Sequence, residues 1–205
     1  MKQLILFFTL ACGIPGFGQK QEDVNIKYML AGYIYAASSV DDTLALGGHG
    51  GSNTFPKGIY RGFFPQEKGF FLHIDDDKVV PLNEKYTGYK FYIANKSDSL
   101  MWFSASDSRL SVIAEAYIDS KWQPVEYLPQ SWCGNSYHRV SLKSGEYWEF
   151  VVPKFSGEEK AKIRYALKYG KGYVYSNEVE ASINREQLTV KEEYTPNGLM
   201  DPYED

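Results

Sequence analysis

Strict alternation of polar and apolar residues over positions 160–168 constrains the fold of this chain more than any other feature of its sequence. The apolar positions share one face of an extended strand: Ala161, Ile163, Tyr165 and Leu167. A helix would scatter the intervening basic residues around its circumference, whereas a period of two gives a strand with one buried face. The segment therefore predicts a half-buried β-strand.

Similar alternating runs recur along residues 87–183, and the run at 178–183 carries an acidic outer face. The glycines of residues 169–177 favour a loop between the strands at 160–168 and 178–183. A hairpin would then place Lys168 opposite Glu178, with Arg164 diagonal to Glu180, so the basic stripe would be balanced by acids across the ladder. Another run, at 121–127, contains Pro124, which cannot donate to a ladder and predicts an edge strand.

Residues 19–86 are less regular, and the sequence leaves open whether they form a separate domain. Candidate strands fall at 26–36, 43–46, 58–63, 69–74 and 78–82. Asp75, Asp76 and Asp77 favour a hairpin turn between the last two, in preference to a calcium site, because the acids lack the spacing of an EF-hand loop. Residues 184–205 form an acidic tail, in which we expect disorder beyond about Val190.

Residues 87–183 resemble exported immunoglobulin-like modules of Gram-negative bacteria. The resemblance rests on Tyr89–Ser97, which ends in Asn-Lys-Ser, and on Leu142–Phe150, which contains Leu-x-x-Gly-Glu. It implies an all-β chain with an Ig-like antiparallel β-sandwich at 87–183 and an additional N-terminal β region at 19–86. The paired cysteines of antibody domains are missing, which excludes that subfamily. Such folds host many functions, so the resemblance implies no activity.

The first 18 residues are typical of a cleaved secretory signal peptide. Lys2 precedes a short apolar run, and Gly16 and Gly18 provide the small residues of a cleavage site. Cys12 matches a lipoprotein signal poorly, and whether it is lipidated stays open. We therefore expect export to the periplasm, cell surface or medium, with Cys133 as the lone cysteine after cleavage. No other apolar stretch approaches the roughly 20 residues that span a bilayer.

The composition argues against nucleic acid as a partner. A net charge of −4 lacks the basic footprint of nucleic-acid binding. No motif indicates a cofactor or a metal site: His49, in the glycine-rich loop 47–53, is a single candidate ligand without companions. That loop also lacks the Gly-Lys-Ser/Thr ending of a phosphate loop, and we interpret it as flexible.

The stretch 131–138 is the most distinctive part of the sequence. Cys133 and His138 suggest a thiol nucleophile with its base, but such a base is normally distant in sequence, so a packed loop is favoured and no catalytic residue is predicted. A ligand patch is the competing hypothesis, because aromatic rings beside an amide suit a glycan or an extended peptide. Its residues are Trp132, Asn135 and Tyr137, with Trp122 on the edge strand.

Three classes of function remain. A non-catalytic binding or surface-interaction module is favoured, because an all-β scaffold rich in aromatic residues coincides with an export signal. A structural subunit of an envelope assembly is second. A cysteine-dependent hydrolase is third, resting on Cys133 and His138 alone.

Overall fold

The computed structural model describes residues 20–27, 33–64, 68–128 and 134–188. In these ranges the chain forms twelve strands and two short 3-10 helices, which confirms the prediction of an all-β protein. The predicted signal peptide, Cys12, Trp132, Cys133 and most of the acidic tail lie outside them. The strands are β1 Lys57–Gly58, β2 Gly69–Pro81, β3 Thr87–Lys96, β4 Met101–Ser106, β5 Arg109–Leu110, β6 Val112–Ile118, β7 Lys121–Pro124, β8 Tyr137–Leu142, β9 Glu146–Pro153, β10 Glu159–Tyr169, β11 Gly172–Tyr175 and β12 Val179–Ile183, and the 3-10 helices are Gly134–Ser136 and Arg185–Leu188.

The strands form three antiparallel sheets. The first sheet has the order β1-β9-β3-β2, the second β5-β4-β8, and the third β11-β10-β6-β7, with β12 also pairing with β10. Strand β7 therefore lies at an edge of the third sheet, as Pro124 predicts. The buried face of β10 is also the predicted one, since Ala161, Ile163, Tyr165 and Leu167 are all buried.

Two neighbouring chain segments cross together from the first sheet to the second. Strands β3 and β9 pair in the first sheet, and their continuations β4 and β8 pair in the second. The Asn95 amide, fully buried, donates to the carbonyls of Ser99 and Leu142 at 2.8 and 2.9 Å. The Gly145 N–H returns a bond to the Asn95 carbonyl, from a turn in which Gly145 has a φ of 75°. Asn95 and Gly145 come from the two segments that carry the resemblance, and they hold this corner together.

One hydrophobic core joins the three sheets to the N-terminal region. Val24, Ile34 and Ala36 belong to the same buried cluster as residues of all three sheets. Trp148, with no exposed surface, lies in this cluster and donates from its indole nitrogen to the Ala37 carbonyl at 2.8 Å. Since β2 pairs with β3, the boundary expected at residues 86 and 87 falls between two hydrogen-bonded strands.

The expected turn at Asp75–Asp77 is wrong. Strand β2 runs through these residues without reversing, and its register with β3 shifts between Asp75 and Val79. The ten-residue β3 is long enough to pair with both halves of β2, so the extra residues are accommodated as a bulge.

Of the expected N-terminal strands, those at 69–74 and 78–82 form parts of β2, whereas those at 26–36, 43–46 and 58–63 are wrong for most of their described residues. Residues 43–46 form a turn and bend, and the described part of 26–36 contributes a single bridge, from Tyr35 to Arg109. The chain instead runs around the core and bonds to other segments, as in the bonds from the Ala36 N–H to the Ser108 carbonyl and from the Ser39 N–H to the Ser141 carbonyl. Alternation alone cannot distinguish such a wrapping segment from a strand.

The expected register after β10 needs correction as well. The predicted loop at 169–177 contains β11, which pairs with the end of β10, and β12 pairs with its beginning. Lys162, and not Arg164, thus meets the acids of 178–183: it lies opposite Glu180, and its Nζ is 3.0 Å from a Glu178 carboxylate oxygen. Lys168 lies opposite Tyr173 of β11 and not opposite Glu178, and Arg164 pairs with Glu115 of β6.

Candidate functional site

The residues of the predicted ligand patch fall in two parts of the fold. Trp122 projects from β7 of the third sheet and is half-buried. Asn135 is exposed in the Gly134–Ser136 turn, whereas Tyr137 begins β8 of the second sheet and is only 8% exposed. Trp132 lies outside the described residues. Each part is best understood through the side chains that surround it.

Trp122 belongs to a band of rings across the third sheet, on the side opposite the core. We name this band the open aromatic face: Tyr117, Trp122, Arg164, Tyr173 and Tyr175. The Arg164 guanidinium carbon lies 4.1 Å from the Trp122 ring centre and 3.7 Å from that of Tyr175. Tyr117 packs beside Trp122 at 5.3 Å, and Tyr173 stacks beside Tyr175 at 6.3 Å. The band thus runs from β7 to β11.

Two charged pairs lie on this side of the sheet. The Arg164 guanidinium bonds to the Glu115 carboxylate at 2.8 Å, and Lys162 pairs with Glu178. The aromatic rings remain accessible between these pairs, with Tyr173 the most exposed at 48%. An accessible aromatic band with mutually paired charges suits a ligand that is flat, polar and uncharged.

The first sheet has a comparable set of rings on its outer side, but there the chain covers them. We name it the covered aromatic face: Phe71, Tyr92 and Tyr147. Phe63 and Phe64, from the segment between β1 and β2, pack on these rings with centre separations of 5.0 to 5.4 Å. Burial raises the pKa of Tyr92 and of Tyr147.

A second site forms where the glycine-rich loop meets the start of β8. The rings of His49 and His138 stack with their centres 3.7 Å apart. Nε2 of His138 accepts the Ser108 N–H at 2.9 Å, and Nδ1 lies 3.3 Å from the Arg139 carbonyl. His138 is therefore neutral with its proton on Nδ1. Burial lowers the pKa of His138, and the neighbouring His49 lowers it further.

The turn between β4 and β5 fixes this site. Asp107 and Ser108 have positive φ angles of 48° and 65°, as the two-residue hairpin turn requires. This turn presents the Asp107 carboxylate to the Gly50 N–H at 2.7 Å, while the Ser108 hydroxyl donates to the Gly50 carbonyl at 2.8 Å. The loop that the sequence suggests is flexible is thus docked at Gly50.

A pocket of about 310 Å³ opens beside the histidines. Its polar wall includes Asp42 and Arg139, which make two side-chain hydrogen bonds of 2.8 and 3.1 Å. The Arg139 guanidinium lowers the pKa of Asp42 to about 2. Asn135 reaches the same region, because its amide nitrogen lies 3.9 Å from the position that a Cβ on Gly48 would occupy. The structure therefore brings the loop 47–53 and the stretch ending at His138 together.

His138 is a poor general base in this arrangement. Its one lone pair already accepts a backbone N–H, and its side chain is buried. The thiol of Cys133 lies outside the described residues, so the geometry lends no support to a Cys133–His138 pair. Among the described residues, no group of three or more His, Cys, Asp or Glu is placed to hold a metal ion.

Sequence reasoning missed a buried carboxyl group behind the open aromatic face. Glu126, only 2% exposed, accepts the Ala114 N–H at 2.8 Å and the hydroxyl of Tyr33. Burial raises the pKa of Glu126 to about 7. Its position directly after an edge strand gives no sequence signal of burial, because Glu126 is brought inside by contacts with distant residues.

Comparisons with known proteins give no match that bears on these sites. No protein-family model, no curated protein and no solved structure gives a significant match to the chain. In the part of the chain that the structure describes, no helix is long and apolar enough to cross a membrane.

Proposed function

We propose that this protein is a non-catalytic binding module that holds a neutral glycan on the open aromatic face. The observation that carries the proposal is the band of accessible rings whose associated charges pair with one another. Exposed aromatic surface is costly in water and commonly marks a binding site. Here no described segment packs over the rings of Tyr173 and Tyr175 as Phe63 and Phe64 pack over the first sheet.

The dimensions suit a chain of a few sugar units. Neighbouring strands are about 4.8 Å apart, so the band from β7 to β11 extends over about 15 Å. The apolar faces of sugar rings pack on aromatic side chains, while tyrosine hydroxyls and the Arg164–Glu115 pair offer donors and acceptors to sugar hydroxyls.

A glycan fits this face better than an extended peptide does. Peptides that extend a sheet bind to the free backbone groups of an edge strand. The centre of the band lies on β6 and β10, which are both paired on two sides. A ligand there meets side chains rather than backbone groups. Since the charge of Arg164, within the band, is already paired with Glu115, the band gives no reason to select an ionic ligand.

The location of the protein and its scaffold are part of the same proposal. The pattern of residues 1–18 supports export, which would place the module in the periplasm, on the cell surface or in the medium. We also propose that its scaffold is an Ig-like β-sandwich: the two segments that carry the resemblance meet at the Asn95–Gly145 corner, and the sheets share one core. A role as a structural subunit of an envelope assembly remains the second candidate, with no observation on the open aromatic face that favours it.

Affinity electrophoresis through gels that contain a β-glucan, an α-glucan, a mannan or a galactan tests the proposal. We expect at least one of these neutral polysaccharides to retard the protein. Trp122→Ala and Tyr175→Ala should each abolish most of the retardation, because each removes a ring that flanks Arg164.

Tyr60→Ala is the matched control, because Tyr60 is an exposed tyrosine beside the covered aromatic face. It should leave the retardation unchanged. Thermal melting of each variant separates lost binding from lost folding. The proposal fails if no neutral polysaccharide retards the wild-type protein, or if folded Trp122→Ala migrates as the wild type does.

A further inference from the structure

We propose that His49 and His138 form an acid-released latch, which holds the glycine-rich loop 47–53 closed beside the pocket next to Arg139. The latch goes beyond the glycan proposal, because no residue of the open aromatic face takes part in it. Either proposal can therefore fail while the other stands.

Near Asp107 the closed loop is held by one ring stack and two hydrogen bonds, and further along the Ser52 hydroxyl donates to the Tyr35 carbonyl at 2.8 Å. His49 stacks on His138, and Gly50 bonds through its N–H to Asp107 and through its carbonyl to Ser108. A Cβ on Gly50 would lie 3.2 Å from that of Asp107, so the backbone approaches this turn closely. Gly47 and Gly48 have φ angles near 80°, which glycine adopts without strain, and they form a natural hinge.

The two hydrogen bonds of Gly50 end on the turn of Asp107 and Ser108, and His138, which carries the ring stack, ties that turn to β8. Its Nε2 accepts the Ser108 N–H only while it carries no proton. A proton on Nε2 would turn this acceptor into a donor, so that its N–H would face the N–H of Ser108. It would also place a positively charged imidazolium against the stacked His49 ring. Protonation therefore weakens the turn and the stack together.

The surroundings of His138 set the direction of the effect. The carboxylates of Asp42 and Asp107 favour the charged ring, as does the Arg139 carbonyl, and the Arg139 guanidinium is bound to Asp42. Burial and His49 outweigh them, so the pKa of His138 in the closed loop lies below its ordinary value of about 6.5. An opened loop that frees the ring binds a proton more readily. The closed state therefore loses stability as pH falls below about 6.5.

Loop opening would change the pocket directly. His49, Gly51 and Ser52 line it from the loop side, opposite Asp42 and Arg139. Movement of the loop about Gly47 and Gly48 would remove one wall and expose the Asp42–Arg139 ion pair further. The latch would thus make access to this pocket depend on the acidity of the surroundings.

Amide hydrogen exchange followed by NMR tests the latch in the full chain. Between pH 7.5 and 5.0, after correction for intrinsic exchange rates, protection at Gly50 and Ser108 should fall about tenfold for each unit by which closure lowers the pKa of His138. Protection at Phe91 and Ile163 in the core should not fall. Glu126 titrates in this range too, but its protonation stabilises the fold and so cannot mimic the loss.

Two variants make the test specific. His138→Gln keeps an acceptor for the Ser108 N–H but cannot titrate, so its loop should stay protected at both pH values. His73→Gln removes the third histidine of the chain, which lies on the first sheet, and should keep the wild-type response. If His138→Gln does not fold, the NMR titration of the His138 ring in the wild type decides: its midpoint must coincide with the loss of protection at Ser108. The latch is refuted by constant protection, by equal loss in the core, or by a response that persists in His138→Gln.

Discussion

The covered and open aromatic faces carry similar rings on the outer sides of two sheets, but only one of them is closed by the chain itself. On the first sheet, Phe63 and Phe64 pack on Tyr92 and Tyr147 and form a satellite core. On the third sheet, Tyr173 and Tyr175 remain accessible, and the guanidinium of Arg164 is the group that fills the space between rings.

This difference separates two roles for the same residue types. Rings that lose most of their contact with water stabilise the fold through buried area. Rings that stay in water contribute little to stability, and a contiguous group of them commonly marks an interaction surface. The comparison predicts that stability depends mainly on the covered face and ligand binding on the open one.

Removing a phenylalanine that covers the first sheet should have the largest effect on stability. Phe64→Ala should lower the free energy of unfolding by about 4 kcal/mol, because it deletes a buried ring and leaves a cavity over Tyr92 and Tyr147. Urea unfolding measures the loss. Tyr173→Ala on the open aromatic face is the matched variant and should cost less than about 1 kcal/mol. Similar losses in the two variants would erase the distinction between the faces.

The two sides of the third sheet should differ in their response to pH. Glu126 on the inner side holds a proton up to a pKa of about 7, whereas an unfolded glutamate releases it near 4.5. The folded state therefore binds the extra proton between these values, and stability falls as pH rises through them. Glu126→Gln cannot ionise, so at pH 8 it should be more stable than the wild type by up to about 3 kcal/mol, with the gap closing near pH 5.

Urea unfolding at several pH values measures this gap. Glu115→Gln is the control on the outer side of the sheet, where the carboxylate pairs with Arg164. It removes an ion pair and should not stabilise the protein at any pH. A difference between Glu126→Gln and the wild type that stays constant from pH 5 to pH 8 would count against a protonated Glu126.

The smallest effect concerns the stack at the centre of the open aromatic face. Arg164→Lys keeps the charge but loses the planar group between Trp122 and Tyr175, so it should cost about 1 kcal/mol. A double-mutant cycle with Trp122→Ala should show a coupling of about 0.5 to 1 kcal/mol. Additivity of the two changes within about 0.3 kcal/mol would mean that the guanidinium does not stabilise the ring.

Predictions for the most regular alternating strands in the second half of the chain were confirmed. The alternation at 160–168 gave the buried face of β10, and Pro124 correctly placed β7 at an edge. Predictions that depended on what a segment pairs with were not. The acids at 75–77 look like a turn in isolation, but a long β3 holds both halves of β2 in one strand. The register of Lys162 with Glu180 likewise depends on β11. The glycines at 170 and 172 had favoured a loop where this strand forms.

The candidate sites show the same difference between what local sequence patterns predict and what pairing between distant segments decides. Trp122 could be singled out from the sequence because an aromatic residue on an edge strand beside a proline has a good chance of exposure. Its partners Arg164 and Tyr175 could not, because they reach it from β10 and β11 through pairing across the sheet. The stack of His49 on His138 joins residues 89 positions apart, and neither histidine carries a local sign of the other.

By itself, the sequence determined that this chain is built from strands, which faces of the most regular strands are buried, and that its first 18 residues are typical of an export signal. These properties follow from the side-chain period of two and from the order of residue types, which act over a few positions. Tertiary structure alone decided which aromatic face is covered, where Glu126 is buried and which loop His138 holds. Each of these depends on contacts between residues far apart in the chain, and such contacts exist only once the sheets share a core.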